Sequence, residues 1–473
     1  MSHDRAIRTI VVAGGGIVGL SAAIAFARVL PGTAVKVVET TPDPAALADR
    51  LPTAHPGVTR FHAFIGIDET DLVRSGVATH HLGTAFTDWS ANGEPWIWAF
   101  GSYGKPAGAI PFDQVWVRAQ RAGHALPYDR YSIAAALAQA GKFVHPARDP
   151  EFVGSRFTYG LRLNPEAYQQ RLRTEAQRSR VTFQRGEIGG LEIGEDGRAS
   201  ALVLTEGTRI EADLFVDCAG PAGRLIRKLD DSFEDWSGWM PFGRLSLSSS
   251  ESELIPRTMD VARAAPWGWT SELSLRGRTL SVSMGEQGDV AVVRGRRLRP
   301  WVHNVLALGD SATAVDPLQG FNLELAQISI LLALEMLPGR DFADIETGEY
   351  NRRYERITRR VRDFLALHYS RSGRSGGLWL DVADREPPDS LRRTLDQYEY
   401  RGRMPFHEDE SVSRDSWTAV LLGLGVRPRE LDPRAGAVPL DQAMTAMERL
   451  ASDIAQMPAQ LPKYGDYLAR ITH

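Results

Sequence analysis

The hydrophobic pattern near the N-terminus predicts a strand, a helix and a second strand in succession. Thr9–Ala13 is apolar and rich in β-branched residues, and it ends at glycines, which is typical of a buried strand. Val18–Val29 has helical character, and Ala34–Glu39 returns to a strand pattern. The three segments together predict a βαβ unit.

Later segments predict an α/β protein with a largely helical C-terminal region. The region between about 40 and 140 contains Trp89, Trp96, Trp98 and Trp116 and has no clear period. The remaining predicted elements are a helix at Pro165–Gln177, strands at Val181–Gln184, Ala201–Thr205 and Leu214–Asp217, strand character over Arg244–Val293, a strand at Val305–Gly309, a helix at Gly320–Leu337 and mainly helix beyond Asp341.

The amino-acid composition excludes several classes of protein. Hydrophobic residues make up 43 % of the 473 residues and charged residues 24 %, so the chain can bury a large core and is not disordered as a whole. A net charge of −4 gives no reason to expect nucleic acid or an anionic membrane as partner. The single cysteine, Cys218, excludes an internal disulfide and a multi-cysteine metal site. No apolar run is long enough for a membrane span, and we expect no metal and a cytoplasmic location.

A glycine-rich segment, Gly14–Gly19, lies between the first predicted strand and the first predicted helix. Its G-x-G-x-x-G spacing lets backbone N–H groups approach a pyrophosphate at the helix N-terminus. An acidic residue twenty positions later, at the end of the next strand, is placed to accept hydrogen bonds from ribose hydroxyls. The predicted nucleotide contacts are Gly14, Gly16, Ile17, Val18, Gly19 and Glu39.

A second motif follows the strand that begins at Val305. Its acidic residue stands at a strand end, where a carboxylate can bind ribityl hydroxyls, and the turn after it leads into a helix N-terminus that favours a reduced, anionic flavin ring. The pairing resembles the ribityl-binding segment of FAD-dependent monooxygenases, so we expect FAD as cofactor. The predicted contacts are Gly309, Asp310, Pro317, Gly320, Phe321 and Asn322.

No second G-x-G-x-x-G stands between a strand and a helix, so a dedicated NAD(P)H domain is not visible. We therefore expect a separate NAD(P)H-dependent flavin reductase to supply the reduced flavin.

Several segments resemble the flavin-dependent tryptophan halogenase family, over nearly the whole chain. Besides the glycine loop they are Asp213–Gly220, Trp267–Trp269, Leu306–Leu318, Phe364–Leu380, Ser416–Pro428 and Met457–Leu468. The resemblance implies a glutathione-reductase-type, Rossmann-like FAD domain with a helical substrate domain. We accordingly expect a discontinuous FAD domain over residues 1–340, with inserted segments at about 60–160 and 230–295, and a helical substrate or cap region over residues 341–473.

The sequence departs from the family pattern at three places. His81 stands where the resemblance expects a catalytic lysine, and no lysine occurs between Lys36 and Lys105. Gln319 stands in the turn where the family has a catalytic glutamate and a halide site. The Ile-Pro of the family's tryptophan motif is absent after Trp269.

These departures leave three hypotheses for the function. The flavin motifs are complete while the halogenation residues are changed, so the leading hypothesis is a monooxygenase that uses reduced flavin and oxygen on an aromatic substrate of specialised metabolism. The alternative is a halogenase with a rearranged site, and a third is a non-catalytic flavin-binding partner protein. His81, whose imidazole can exchange a proton near neutral pH, and Gln319 are the candidate catalytic residues, although His81 has packing as its alternative role.

Aromatic residues are the candidates for substrate contact. The resemblance implies that an indole-like substrate stacks between two aromatic rings, and Trp98 and Phe100 can supply that pair, with Trp269 as a third contact. Core packing is the alternative role for these side chains. The hypothesis admits a carrier-tethered substrate, and a homodimer is the commonest assembly of soluble oligomers.

Overall fold

The computed structural model describes residues 6–91, 93–149, 153–252 and 255–472. The chain forms two compact units, the first from residues 1–78, 163–237 and 290–359, and the second from residues 79–162, 238–289 and 360–473. The second unit therefore takes its first two segments from within the predicted insertions. Residues 341–359 belong to the first unit, although the sequence placed them in the C-terminal region.

The first unit is built on a parallel sheet. Its order is Trp301–Val302, Val305–Ala307, Leu214–Asp217, Thr9–Ala13, Ala34–Glu39 and Thr182–Arg185, with the first strand antiparallel to its neighbour. Val12 pairs with Val216 on one side and with Val37 on the other. Helices cover both faces of such sheets, so the central strands are apolar throughout. The strands predicted at Thr9–Ala13, Ala34–Glu39 and Leu214–Asp217 are confirmed.

The predicted helices of the first unit are also confirmed, with small shifts at their ends. The first runs over Ile17–Val29, and the predicted Gly320–Leu337 helix is Phe321–Glu335. The predicted Val305–Gly309 strand ends at Ala307, because Gly309–Ser311 forms a 3₁₀ turn. The other helices are Leu47–Arg50, Val58–Ile65, Glu69–Arg74, Pro165–Arg178 and Asp344–Ser370, and the last of these extends into the second unit. The other strands are Thr53–Ala54, Phe233–Asp235, Val290–Ala291, Gly295–Arg297 and Thr313–Ala314. A small separate sheet contains Ile188–Ile193, Ala199–Leu204 and Arg209–Glu211.

The second unit contains a mixed sheet. Its strands follow the order Arg244–Glu251, Arg278–Gly285, Gly268–Leu275, Met259–Ala265, Gly83–Thr87 and Trp96–Ala99. The strand character predicted over Arg244–Val293 is confirmed as four strands, of which the last three lie in chain order and the first, Arg244–Glu251, pairs with the last, Arg278–Gly285. The other elements are strands Ala78–His81 and Gly160–Leu163 at its boundaries and helices Phe112–Arg121, Ile133–Gln139, Gly377–Asp384, Asp389–Arg401, Arg414–Gly423, Leu440–Gln456 and Tyr464–Thr472.

The tryptophan-rich region that had no clear period contributes core residues of the second unit. The indole N–H of Trp89 donates to the backbone carbonyl of His368 at 2.8 Å. A buried indole is tolerated when its polar atom finds such a partner. Within the described ranges, no helix is both long enough and apolar enough to cross a bilayer.

Candidate functional site

The glycine loop of the first unit is shaped by close backbone approaches. Gly14 has φ +116°, and a Cβ there would overlap the carbonyl group of Cys218. A Cβ on Gly19 would overlap the carbonyl oxygen of Gly14. Both positions therefore require glycine, because the first helix begins directly against the ends of two parallel strands. Cys218 is buried, and burial raises the pKa of its thiol, as expected for a packing residue.

A carboxylate already occupies the N-terminus of the first helix. Asp49 Oδ1 accepts a hydrogen bond from the backbone N–H of Val18 at 3.0 Å, and only a glycine at position 16 leaves room for this side chain. Burial raises the pKa of Asp49 to about 6, although hydrogen bonds from the N–H groups of Val18 and Ile17 oppose the shift. Asp49 could not be predicted from the sequence, since a single acidic residue in the short helix Leu47–Arg50 carries no pattern of its own.

Glu39 lies beside the loop and is held by arginines. Its carboxylate forms a bidentate ion pair with Arg173, in which Arg173 Nη2 lies 3.3 Å from Glu39 Oε2. Arg185 Nε lies 3.7 Å from the same oxygen. Gln169, one helical turn before Arg173, donates to the carbonyl of Gly15 at 2.7 Å. The helix Pro165–Arg178 thus fixes both the glycine loop and the acceptor that we predict for ribose hydroxyls.

The second motif meets the glycine loop within the first unit. A Cβ on Gly309 would lie 2.8 Å from a methyl carbon of Val18. Asp310 Oδ2 accepts from the backbone N–H of Ala48 at 2.8 Å, and Asn322 Nδ2 lies 3.3 Å from Asp310 Oδ1. Burial raises the pKa of Asp310 well above its usual range, and the carboxylate of Asp49 adds to this effect.

These residues fit an FAD molecule. Glycines at the helix N-terminus leave room for a pyrophosphate, and Glu39 and Asp310 supply acceptors for ribose and ribityl hydroxyls. Among the described residues, the buried Oδ1 of Asn322 has no hydrogen-bond partner, so it can still accept one from a ligand. The carboxylate of Asp49, which accepts from the backbone N–H of Val18, opposes a pyrophosphate by its charge when it is ionised.

The turn Pro317–Phe321 places Gln319 in a left-handed conformation with φ +62° and ψ −5°. His55 Nε2 lies 2.8 Å from the backbone carbonyl oxygen of Gln319, and His55 Nδ1 lies 2.7 Å from Glu324 Oε2. Gln319 was predicted from the sequence as a site residue, whereas His55 and Glu324 were not. A lone histidine and a helical glutamate give no signal until the fold brings them together.

His81 belongs to the second unit, where it is buried at the end of the strand Ala78–His81. Its Nε2 lies 3.7 Å from Oδ2 of Asp260, whose Oδ1 accepts from Arg162 Nε at 3.2 Å. Burial lowers the pKa of Arg162 to about 9, which leaves it charged at neutral pH. The neighbouring His80 differs, since its ring stacks on Phe143 with centroids 3.7 Å apart.

The aromatic candidates are arranged differently from the sequence prediction. Trp98 and Phe100 touch edge to face, with centroids 4.9 Å apart, so no space for an indole exists between them. Phe100 lies 5.3 Å from the ring of His81, and Trp98 and Phe100 are both buried. Trp269 is 1 % exposed and its indole N–H donates to the hydroxyl of Tyr369 at 3.0 Å. These contacts make Trp269 a core residue.

The predicted residues therefore fall into two groups. The cofactor residues and Gln319 lie in the first unit, and His81, Trp98, Phe100 and Trp269 lie in the second.

Comparisons with known proteins agree on one family. A model described as "Tryptophan halogenase" matches residues 9–285 and 280–440. The tryptophan 7-halogenase RebH of Lentzea aerocolonigenes is 25 % identical over 92 % of each chain. Among solved structures, the flavin-dependent halogenase BrvH from Brevundimonas sp. BAL3 is 29 % identical over 99 % of each chain with a TM-score of 0.92, and Xcc4156, a flavin-dependent halogenase from Xanthomonas campestris, is 28 % identical over 99 % of each chain with a TM-score of 0.90.

Proposed function

Because the chain belongs to the tryptophan halogenase family, we propose that it is a flavin-dependent halogenase of an indole-like aromatic substrate, with His81 acting at the position that the resemblance assigns to lysine. It is an oxidoreductase-type enzyme, and its cofactor is FAD. The comparisons support this halogenase alternative better than the monooxygenase hypothesis that the sequence put first.

The observation that carries the proposal is the buried group of His81, Asp260 and Arg162. His81 Nε2 faces the Asp260 carboxylate across 3.7 Å. An imidazole can exchange a proton near neutral pH, and its protonated form, like an ammonium, is a cation that donates hydrogen bonds. In this proposal, His81 supplies a cation-forming group at the position that the resemblance assigns to lysine.

The overall reaction consumes reduced flavin, oxygen, halide, one proton and the aromatic substrate, and it yields oxidised flavin, the halogenated product and two waters. Reduced FAD supplies two of the four electrons that oxygen accepts, and the halide supplies the other two. We expect the reduced flavin to come from a separate NAD(P)H-dependent reductase. The substrate is a small aromatic molecule, free or carrier-tethered.

His81 performs two proton transfers in this proposal. In its protonated form it holds hypohalous acid by a hydrogen bond. As the halogen bonds to the ring carbon, His81 gives its proton to the departing hydroxide, which becomes water. It then accepts the proton that the ring carbon loses, so one imidazole serves as acid and as base. Gln319 has no titratable group and takes no part in these transfers.

Residues of the first unit have binding roles. The loop Gly14–Gly19 receives the pyrophosphate, Glu39 accepts from the ribose, and Asp310 and Asn322 accept from the ribityl chain. We retain a cytoplasmic location as part of the proposal, since the single cysteine suits a reducing compartment.

A mass-spectrometric assay tests the proposal. Purified protein receives FAD, a flavin reductase, NADH, oxygen and a panel of indoles, with and without bromide. A bromide-dependent product in which bromine replaces hydrogen is the expected result. A product heavier by one oxygen and indifferent to bromide would contradict it.

A product heavier by one oxygen would establish the second candidate function, a monooxygenase. One observation on the sequence favours this candidate. No lysine occurs between Lys36 and Lys105, and Gln319 cannot take a proton. Absence of any product while FAD is bound would favour the non-catalytic flavin-binding alternative.

A further inference from the structure

The turn before the helix Phe321–Glu335 has an unusual backbone. Gln319 and Gly320 both have positive φ, at +62° and +73°. The left-handed conformation is natural for Gly320 but unfavourable for a residue with a Cβ, such as Gln319. Contacts from elsewhere in the chain must therefore hold the turn in place.

The segment around His55 provides those contacts. The ring of His55 packs edge-on against Phe321 with centroids 4.5 Å apart. His55 Nε2 lies 2.8 Å from the carbonyl oxygen of Gln319. Because a carbonyl can only accept, Nε2 must carry a hydrogen. A Cβ on Gly320 would overlap the Thr53 side chain, so this segment lies directly against the turn.

The other ring nitrogen also faces an acceptor. His55 Nδ1 lies 2.7 Å from Oε2 of Glu324, in the first turn of the helix. A neutral imidazole has only one N–H and cannot donate to both a carbonyl and a carboxylate. Nδ1 therefore faces a buried carboxylate oxygen that has no hydrogen-bond partner among the described residues, and a proton shared between the two atoms would satisfy both of them. His55 is 5 % exposed, so water does not readily replace either partner.

The turn is connected to predicted cofactor contacts of the first unit. Asn322 Nδ2 donates to the carbonyl of Val315 at 3.1 Å and to Asp310 at 3.3 Å. Asp310 in turn accepts from the backbone N–H of Ala48. A shift of the turn would therefore move Asp310 and Asn322, the side chains that bind the ribityl chain in the proposed function.

We propose that His55 and Glu324 are positioning residues that share one proton and so fix the turn Pro317–Phe321 for cofactor binding. The link to the cofactor rests on the proposed function, whereas the shared proton rests on the two contacts of His55 alone. Glu324 sets the tautomer of His55, His55 holds the carbonyl of Gln319, and the turn presents Asn322 and Asp310.

Two variants of Glu324 separate hydrogen bonding from packing. In Glu324→Gln the amide can still donate to Nδ1, so the Nε2–H tautomer and the bond to Gln319 persist. In Glu324→Ala the contact between Nδ1 and the Glu324 side chain is lost. His62→Gln is the matched control, because His62 is another buried histidine of the same unit whose Nε2 lies 2.8 Å from the Tyr168 hydroxyl.

The measurements are ¹⁵N NMR of labelled histidines, assigned with His55→Gln, and the FAD dissociation constant from fluorescence titration. We expect wild-type His55 to carry hydrogen on Nε2 and a shared proton at Nδ1. We expect Glu324→Ala to weaken FAD binding about tenfold, while Glu324→Gln and His62→Gln stay within about threefold of wild type.

A wild-type His55 that lacks hydrogen on Nε2 would overturn the proposal, as would unchanged FAD affinity in Glu324→Ala. A wild-type protein that binds no FAD would instead contradict the proposed function, and the NMR result would still decide whether the proton is shared.

Discussion

The carboxylate of Asp49 accepts a hydrogen bond from the backbone N–H of Val18 at 3.0 Å, at the N-terminus of the helix Ile17–Val29. Such a terminus favours an anion, because its first N–H groups lack helical partners and carry the positive end of the helix dipole. A pyrophosphate in the glycine loop would need the same N–H groups. The protein thus carries its own anion where the cofactor's phosphates should bind.

We expect FAD affinity to depend on the protonation of Asp49. Burial raises the pKa of this carboxyl group to about 6, so the folded chain binds its proton more tightly than an unfolded chain with a pKa near 3.8. The ionised form destabilises the fold above pH 6, and this cost is relieved as the pH falls through 6. FAD should accordingly bind more weakly at pH 8 than at pH 5.5.

Asp49→Asn tests this dependence. The variant should bind FAD about tenfold more tightly than wild type at pH 8, lose most of the pH dependence and unfold at a higher temperature. Calorimetric titration across pH and thermal unfolding give both quantities. Asp68→Asn is the control, since Asp68 caps another helix of the first unit. Equal pH dependence in Asp49→Asn and wild type would exclude the role of Asp49.

Gly19→Ala should destabilise the first unit. The added Cβ would overlap the carbonyl oxygen of Gly14, and neither backbone can withdraw without disturbing the helix or the adjacent strands. Overpacking of this kind costs about 1–3 kcal/mol, which thermal unfolding detects. A Cβ at Gly32 would meet no atom within 4 Å, so Gly32→Ala should unfold like wild type. Identical unfolding temperatures for both variants would refute the close approach.

His81→Phe should lower the turnover number for bromination by about a hundredfold or more, because the acid and the base are removed together. His81→Lys should retain bromination, since an ammonium can direct hypohalous acid. FAD affinity should stay unchanged in both, as His81 belongs to the second unit. His80→Phe controls for loss of a buried imidazole on the same strand. If His81→Phe brominates at the same rate as the wild-type protein, His81 is a packing residue and not a catalytic one.

Trp98→Phe should raise the KM for an indole substrate, by up to about tenfold, while FAD affinity is maintained. Trp98 packs on Phe100, which lies beside His81, and the prediction requires that this buried pair faces the bound substrate, where a smaller ring offers less stacking surface. Trp269→Phe is the contrasting variant, because it loses the hydrogen bond to Tyr369 and should lower the unfolding temperature with KM unchanged. The hypothesis would fail if KM responded to Trp269→Phe but not to Trp98→Phe.

Features that depend on short-range rules could be predicted from the sequence. The strand Thr9–Ala13, the loop Gly14–Gly19 and Glu39 follow one another within a βαβ unit, so spacing alone predicts their geometry. The strands between Met259 and Gly285 were predictable for the same reason, because each lies beside the next one along the chain. The strand Arg244–Glu251 does not follow this rule, since it pairs with Arg278–Gly285.

The tertiary structure decided the contacts between residues far apart in the chain. His55 and Gln319 are 264 positions apart, and Asp260 and Arg162 are 98 apart, so no periodicity or motif spacing could pair them. The same is true of Asp49, whose position against Val18 depends on how the short helix Leu47–Arg50 packs. Trp98 and Trp269 are both buried, and only the fold shows that one packs on Phe100 and the other donates to Tyr369. Local conformation follows from neighbouring residues, whereas the environment of a side chain depends on elements that only the complete fold assembles.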